Sequence, residues 1–140
     1  MLDQVATRAW CEGLARTLAV QHVTPRGQPY LDRYFVAGWS PTDRQHFGAI
    51  YLHHFLASDP DDQVHSHPWG WARSVILVGG YREYRCDRAG GAIVRDYLPG
   101  EINVLEPEDQ HRIELLEGDC WSVFLAGSYA EPWNFAPGCS

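Results

Sequence analysis

Arg73-Ser74-Val75-Ile76-Leu77-Val78-Gly79-Gly80-Tyr81-Arg82-Glu83-Tyr84-Arg85-Cys86 reads as two short strands folded about a glycine pair. Gly79-Gly80 tolerates the positive φ angles of a tight hairpin turn. The same punctuation continues outward in both directions. Downstream, strands are predicted over residues 93–98, 102–105, 112–116 and 120–125. Gly90-Gly91 precedes the first of these, and Pro99-Gly100 and Gly118-Asp119 separate later ones. Upstream, they are predicted over 30–36, 47–56 and 63–67, with Pro68 ending the last. Regular short strands between such turns argue a sandwich or barrel. Residues 1–20 differ: they carry no proline and place Leu2, Val5, Ala6, Ala9, Trp10, Leu14 and Leu18 at helical spacing. The expectation is an all-β, barrel-type fold with a helix packed on its outside, residues 1–22 forming the helix and connector and 23–140 the barrel.

Chemistry concentrates in the histidines. His65 and His67 stand at i and i+2 of a strand candidate, so their side chains share one face about 7 Å apart. His111 follows the turn Pro107-Glu108-Asp109-Gln110 and leads into the alternation of Ile113 and Leu115. A third imidazole from a neighbouring strand would complete a facial ligand set with open coordination positions, the arrangement of a working metal site rather than a closed structural one. Gln63 shares the parity of His65 and His67 and is expected to face the same interior, where it could orient a ligand or touch substrate. His53 and His54 are adjacent and so face opposite ways on a strand. Tyr51 and Phe55 lie on the face of His53, which makes His53 the candidate for an acid–base or ligand-orienting role. Asp59, in Ser58-Asp59-Pro60-Asp61-Asp62, reads as part of a solvated acidic corner.

These residues resemble the two motifs of the cupin superfamily of small β-barrels. His65-Ser66-His67 matches the histidine pair of the first motif, and Ile76-Leu77-Val78-Gly79 matches its strand ending in glycine. Pro107-Glu108-Asp109 with His111 resembles the second motif, one residue short and with Asp109 in place of a glycine. The likeness spans residues 51–127. It implies a double-stranded β-helix (a cupin or jelly-roll barrel) and a divalent metal on His65, His67 and His111. The glutamate that the family places seven residues before the motif glycine falls at Ala72, which cannot ligate; the flanking carboxylates are Asp62 and Glu83. A three-histidine site without a carboxylate resembles that of the cupin thiol dioxygenases, which implies Fe(II), with Zn, Ni or Mn as alternatives. The serine-histidine-tyrosine run of those enzymes is absent from this sequence, so their substrate does not transfer.

Composition bounds the rest. The chain has 140 residues and a formal net charge of −7, which argues against a nucleic-acid surface. No apolar run reaches the length of a membrane span, and the first residues do not resemble a signal peptide. A cytoplasmic protein with a small-molecule substrate is expected, with a homodimer compatible. Its 11 basic residues are all arginine, which excludes Schiff-base lysine chemistry and phosphate-loop nucleotidases. Cys11, Cys86, Cys120 and Cys139 form no Cys-x-x-Cys pair and are expected as free thiols. The expected function is a metal-dependent cupin enzyme, an iron oxygenase acting on a small anionic or thiol-containing molecule. The alternatives are a non-redox lyase or isomerase and a non-catalytic small-ligand-binding cupin.

Overall fold

The computed structural model describes residues 2–38, 48–59, 63–67, 69–87, 89–127 and 135–137, with the backbone alone at 63 and 135–137. The chain opens with helix α1 (Gln4–Ala15), whose N-cap Asp3 accepts from the backbone N–H groups of Val5 and Ala6 at 3.0 and 3.1 Å. Among the described residues eleven strands follow: β1 (Val20–Val23), β2 (Leu31–Ala37), β3 (Ala49–Phe55), β4 (Gln63–His65), β5 (Ala72–Val78), β6 (Tyr81–Cys86), β7 (Ala92–Tyr97), β8 (Ile102–Leu105), β9 (His111–Leu115), β10 (Cys120–Ala126) and β11 (Phe135–Pro137).

The strands form two antiparallel sheets, β1-β2-β3-β10-β5-β8 and β11-β4-β9-β6-β7. All nine strands expected from the sequence form, with ends shifted by a residue or two. The exceptions to the expectation are β1, which pairs with β2 inside the stretch read as helix and connector, and β11, which pairs with β4.

Period-2 alternation sets the inward face. Along β2, Leu31 and Arg33 are buried; along β5, Ala72, Ser74 and Ile76; along β6, Tyr81 and Glu83. Inside the barrel, Leu31, Phe55, Ile76, Tyr81 and Ile113 form one apolar group, and Tyr51, Trp69, Ala72, Leu105 and Phe124 another. A β-bulge in β5, where Leu77 is the extra residue opposite Trp121 and Ser122, turns Val78 to the outer face of the large sheet. There Trp121, Leu52 and Val78 pack beneath Cys11 and Ala15 of α1. The helix therefore lies on the outside of the barrel as expected, although Val5 and Trp10 are exposed rather than packed. Arg8 ties it down further through a bidentate pair with Asp119 at 2.7 and 2.8 Å.

Cys11 and Cys120 are buried thiols whose pKa values burial raises to about 11 and about 12, so they are unreactive at neutral pH. Cys86 is disulfide-bonded, which departs from the free-thiol expectation; Cys139 lies outside the described residues. No helix among the described residues is long and apolar enough to cross a membrane.

The β5–β6 turn tests the hairpin reading. Gly79 has φ +80°, and a Cβ there would sit 2.3 Å from the backbone oxygen of Asp119. Gly118 also has positive φ, +66°, but open space around it. Gly118→Ala should cost about 1 kcal/mol of unfolding free energy. Gly79→Ala should cost about 3 kcal/mol, because strain and backbone overlap add. Urea unfolding of the two variants measures the difference.

Candidate metal centre

His111 opens β9 and is the direct cross-strand partner of His65 on β4. That pairing places both imidazoles on one face, with ring centroids 4.8 Å apart. The strand ends at His65, so His67 is not a strand residue as expected. It nonetheless joins the group from the segment just beyond, with its ring 5.1 Å from His65 and 4.9 Å from His111. One ligating nitrogen from each histidine lies within 4.8 Å of the others. The Nε2 atoms of His67 and His111 are 2.9 Å apart. Two nitrogens each about 2.1 Å from a shared ion, at right angles, would be about 3 Å apart.

Hydrogen bonding sets the tautomer of His111. Its Nδ1 lies 2.7 Å from Oε2 of Glu83. A carboxylate only accepts, so Nδ1 carries the proton and Nε2 presents its lone pair to the centre. Glu83 is 2 % exposed and is fully engaged. Asn103 Nδ2 donates to Oε2 at 2.7 Å, Arg85 Nη2 donates to the same oxygen at 3.2 Å, and Arg85 Nε lies 3.0 Å from Oε1. Burial alone would raise its pKa, but His111, Asn103 and Arg85 together hold it at about 2. Behind His65, Asp59 Oδ2 is 3.6 Å from Nδ1, beyond hydrogen-bond range. Asp59 is buried rather than solvated. Tyr30 donates its hydroxyl to Oδ1, and the backbone N–H of Ile113 donates to Oδ2 at 2.7 Å. Residues 60–62 of that acidic corner lie outside the described residues.

Burial holds His65 and His67 neutral, the form that ligates metal. Burial lowers the pKa of His65 to about 3 and that of His67 well below its ordinary value, with the neighbouring imidazoles adding to both shifts. All three border a cavity of about 510 Å³, within the range that small-molecule sites occupy. Trp69, Phe124, Tyr81 and Ser74 line it too, as do residues of the β1–β2 connection.

His53 faces this cavity and His54 does not. His53 is 3 % exposed and stacks on Phe124 at 4.7 Å, and its Nε2 accepts from Arg33 Nε at 3.2 Å. His54 lies on the outer face, stacked on Trp121 at 3.8 Å and 2.6 Å from Asp119 Oδ2. His53 is not one of the grouped ligands. The side chain of Gln63 lies outside the described residues. Ala72 is buried among Trp69, Leu105 and Phe124 and offers no ligand. Arg73 lies off the cavity, its Cζ 5.4 Å from the Trp71 ring centroid. Sequence reasoning missed Arg33 and the bonding role of Glu83. Both stand at inward parity, Arg33 between Leu31 and Phe35 and Glu83 two residues after Tyr81, and that was the signal available.

Neither a protein-family model nor a curated protein sequence matches the chain. Solved structures do. HutD from Pseudomonas fluorescens SBW25 superposes with TM-score 0.64 at 14% identity, over 81% of this chain and 58% of that one. An uncharacterized conserved protein with a double-stranded β-helix domain, from Klebsiella pneumoniae, gives 0.55 at 15% identity, over 76% and 84%. The fold is a double-stranded β-helix of the cupin type. Streptomyces albus HEPD, solved with its substrate 2-hydroxyethylphosphonate and Fe(II) bound, gives 0.62 at 15% identity, over 81% of this chain. The chain spans only 25% of HEPD and 58% of HutD.

Two outcomes follow from the bonding. Glu83→Gln keeps the shape but removes the charge that fixes His111, and should weaken zinc binding about 10- to 100-fold; competition with a fluorescent chelator measures it. In the metal-free protein the folded-state pKa values of His53, His65 and His67 lie below the unfolded value of about 6.5. The unfolded chain therefore binds more protons as pH falls below about 6.5, and stability is lost progressively from there downward. Thermal midpoints between pH 7.5 and 4 should fall on acidification, and the rise in midpoint that saturating zinc gives at neutral pH should not grow as the pH falls, since protons compete with the metal for the same nitrogens.

Proposed function

We propose that the chain is a metal-dependent cupin enzyme: an iron-dependent oxygenase in which His65, His67 and His111 hold one Fe(II) beside a cavity that takes a small anionic or thiol-containing molecule. The observation that carries this reading is the convergence of three imidazoles on a substrate-sized cavity. The Fe(II) carried by HEPD on the same fold supports it.

Three uncharged ligands would leave the ion its full double charge and a side open toward the cavity. When bound there, iron would supply the redox chemistry with dioxygen. This chain's residues do the remaining work. His111 is oriented by Glu83. Trp69 and Phe124 form an apolar wall that excludes water from the reacting end. His53, neutral and with its Nε2 engaged by Arg33, carries its proton on Nδ1 and so keeps a fixed tautomer.

Protein purified without added metal should contain about one equivalent of divalent metal by elemental analysis, and the Fe(II)-loaded form should consume dioxygen with small carboxylic acids or thiols. Alanine at His65, His67 or His111 should remove most of the metal and at least about 100-fold of the oxygen uptake. Zinc retention with turnover that needs no dioxygen would instead favour a non-redox lyase or isomerase. Ligand binding that persists with all three histidines replaced, and no turnover, would favour a binding module.

A further inference from the structure

Beyond its histidine corner the cavity is walled chiefly by apolar side chains. Leu31, Phe55, Val64, Leu105, Ile113 and Phe124 border it and are all buried. They stand on six different strands, so both sheets contribute to the wall. At one end Trp69 and Phe124 lie against His67, with ring centroids 5.6 and 5.8 Å away. Leu31, Phe55 and Ile113 belong to the other interior apolar group, against which Val23 and Tyr30 also pack. Past these, Thr24, Arg26 and Gln28 border the cavity while exposed to solvent, which puts its mouth at the β1–β2 connection.

Between mouth and corner the polar side chains on the wall are bonded to the protein. Asp59 accepts from the Tyr30 hydroxyl and from the backbone N–H of Ile113. Ser58 Oγ accepts from the backbone N–H of Leu115 at 2.8 Å, and Ser74 bonds to Tyr81. Arg33 donates to His53 at 3.2 Å and to Gln21 at 3.4 Å, and its Cζ lies 5.2 and 5.6 Å from the ring centroids of Tyr51 and Trp69. A polar group carried into this stretch would give up water to meet groups that are already bonded. An apolar group gains by leaving water, and it covers a wall that water solvates poorly.

We infer that the substrate has an apolar body, a hydrocarbon chain or ring, and a single polar head. The body lies along Leu31, Phe55, Val64 and Ile113, and the anionic or thiol head reaches the three histidines. This rests on the metal-enzyme reading above and narrows its substrate class. Small molecules charged at both ends are excluded by the same wall, because their second charge would be desolvated without a partner of its own. Val23, at the inner side of the mouth, is a specificity-determining residue.

Propionate, succinate and hydrocinnamate (propionate carrying a phenyl ring) share one carboxylate head on different bodies, and benzyl alcohol carries the ring without a charge. Each is titrated into metal-free and zinc-loaded protein, with the methyl signals of Leu31, Val64 and Ile113 followed by nuclear magnetic resonance. In the zinc-loaded protein hydrocinnamate should bind about 10- to 100-fold tighter than propionate, the gain expected for burying one ring. Succinate should bind no tighter than propionate. The ring protons of hydrocinnamate should show nuclear Overhauser contacts to the three sets of methyl groups. Val23→Asn should weaken hydrocinnamate about threefold or more and leave propionate within about twofold. Val5→Asn, on the exposed side of α1, should change neither. Equal affinity for propionate and hydrocinnamate, or tighter binding of succinate than of hydrocinnamate, would overturn the inference. So would contacts confined to the exposed methyl groups of Ile93, Val94 and Ile102. The contacts are read on the wild type and decide the matter even where Val23→Asn does not fold. Benzyl alcohol should bind both forms alike, whereas hydrocinnamate should need zinc for its full affinity. Cavity contacts from both probes with no response to zinc would overturn the metal-enzyme reading and leave the apolar seat standing.

Discussion

At the centre of the barrel the carboxylate of Glu83 is bonded to groups from both sheets. His111 on β9 and Arg85 on β6 reach it from the small sheet, and Asn103 on β8 reaches it from the large one. Asn103 in turn donates to the Tyr81 hydroxyl at 3.0 Å and accepts from Arg85 at 2.8 Å. A buried charge is tolerated only when its bonding capacity is met, and removing one partner leaves the others exposed to the full desolvation penalty. The register of β6 against β9, the approach of β8 and the tautomer of His111 are therefore one constraint. A slip of one residue in any of these strands would turn its contributor to the opposite face.

The placement of this carboxylate also explains the alanine at position 72. A glutamate in direct contact with the ion would cancel part of its charge and fill a coordination position. Glu83 sits one hydrogen bond further back. There it raises the basicity of His111 and fixes its orientation, but it is balanced by Arg85 and takes up no space at the centre. Ala72 meanwhile completes an apolar contact with Trp69 and Phe124, the two rings that also touch His67. Moving the acid outward keeps the ligand set neutral and gives the vacated volume to the wall.

The strands were legible because each carries its own short-range signal, period-2 burial between glycine turns. The sequence also exposed the histidine cluster, since an i, i+2 pair and a third histidine after a turn are local patterns and the likeness to the cupin motifs fixes their relation. What the sequence did not expose depends on partners distant in the chain. The four residues of β1 continue the apolar tail of the helix, and only their pairing with residues 31–34 makes them a strand. β11 exists through backbone bonds to β4. Asp59 stands in a polar run that reads as solvated, and is buried because Tyr30 and Ile113 close over it. Arg33 was at inward parity between two apolar residues, but an arginine on a strand is ordinarily an outward residue, and local pattern cannot overrule that expectation.

The interior of this barrel combines its apolar groups with buried polar ones. Arg33, His53, Ser74, Glu83, Asn103, His111 and Ser122 are all buried in a chain of modest size, and a cavity takes further volume from the core. Each of these groups contributes less to stability than an apolar side chain of equal volume. Apolar burial continues on the other face of the large sheet. The bulge in β5 turns Val78 outward beside Leu52 and Trp121, and the three form a second apolar layer beneath α1. Asp119 fastens that layer by bonding Arg8 of the helix and His54 of β3, which holds its pKa at about 2. The two adjacent histidines on β3 thus serve opposite faces: His54 anchors the apolar layer that stabilises the sheet, and His53 orients a cation in the polar interior that this layer makes tolerable.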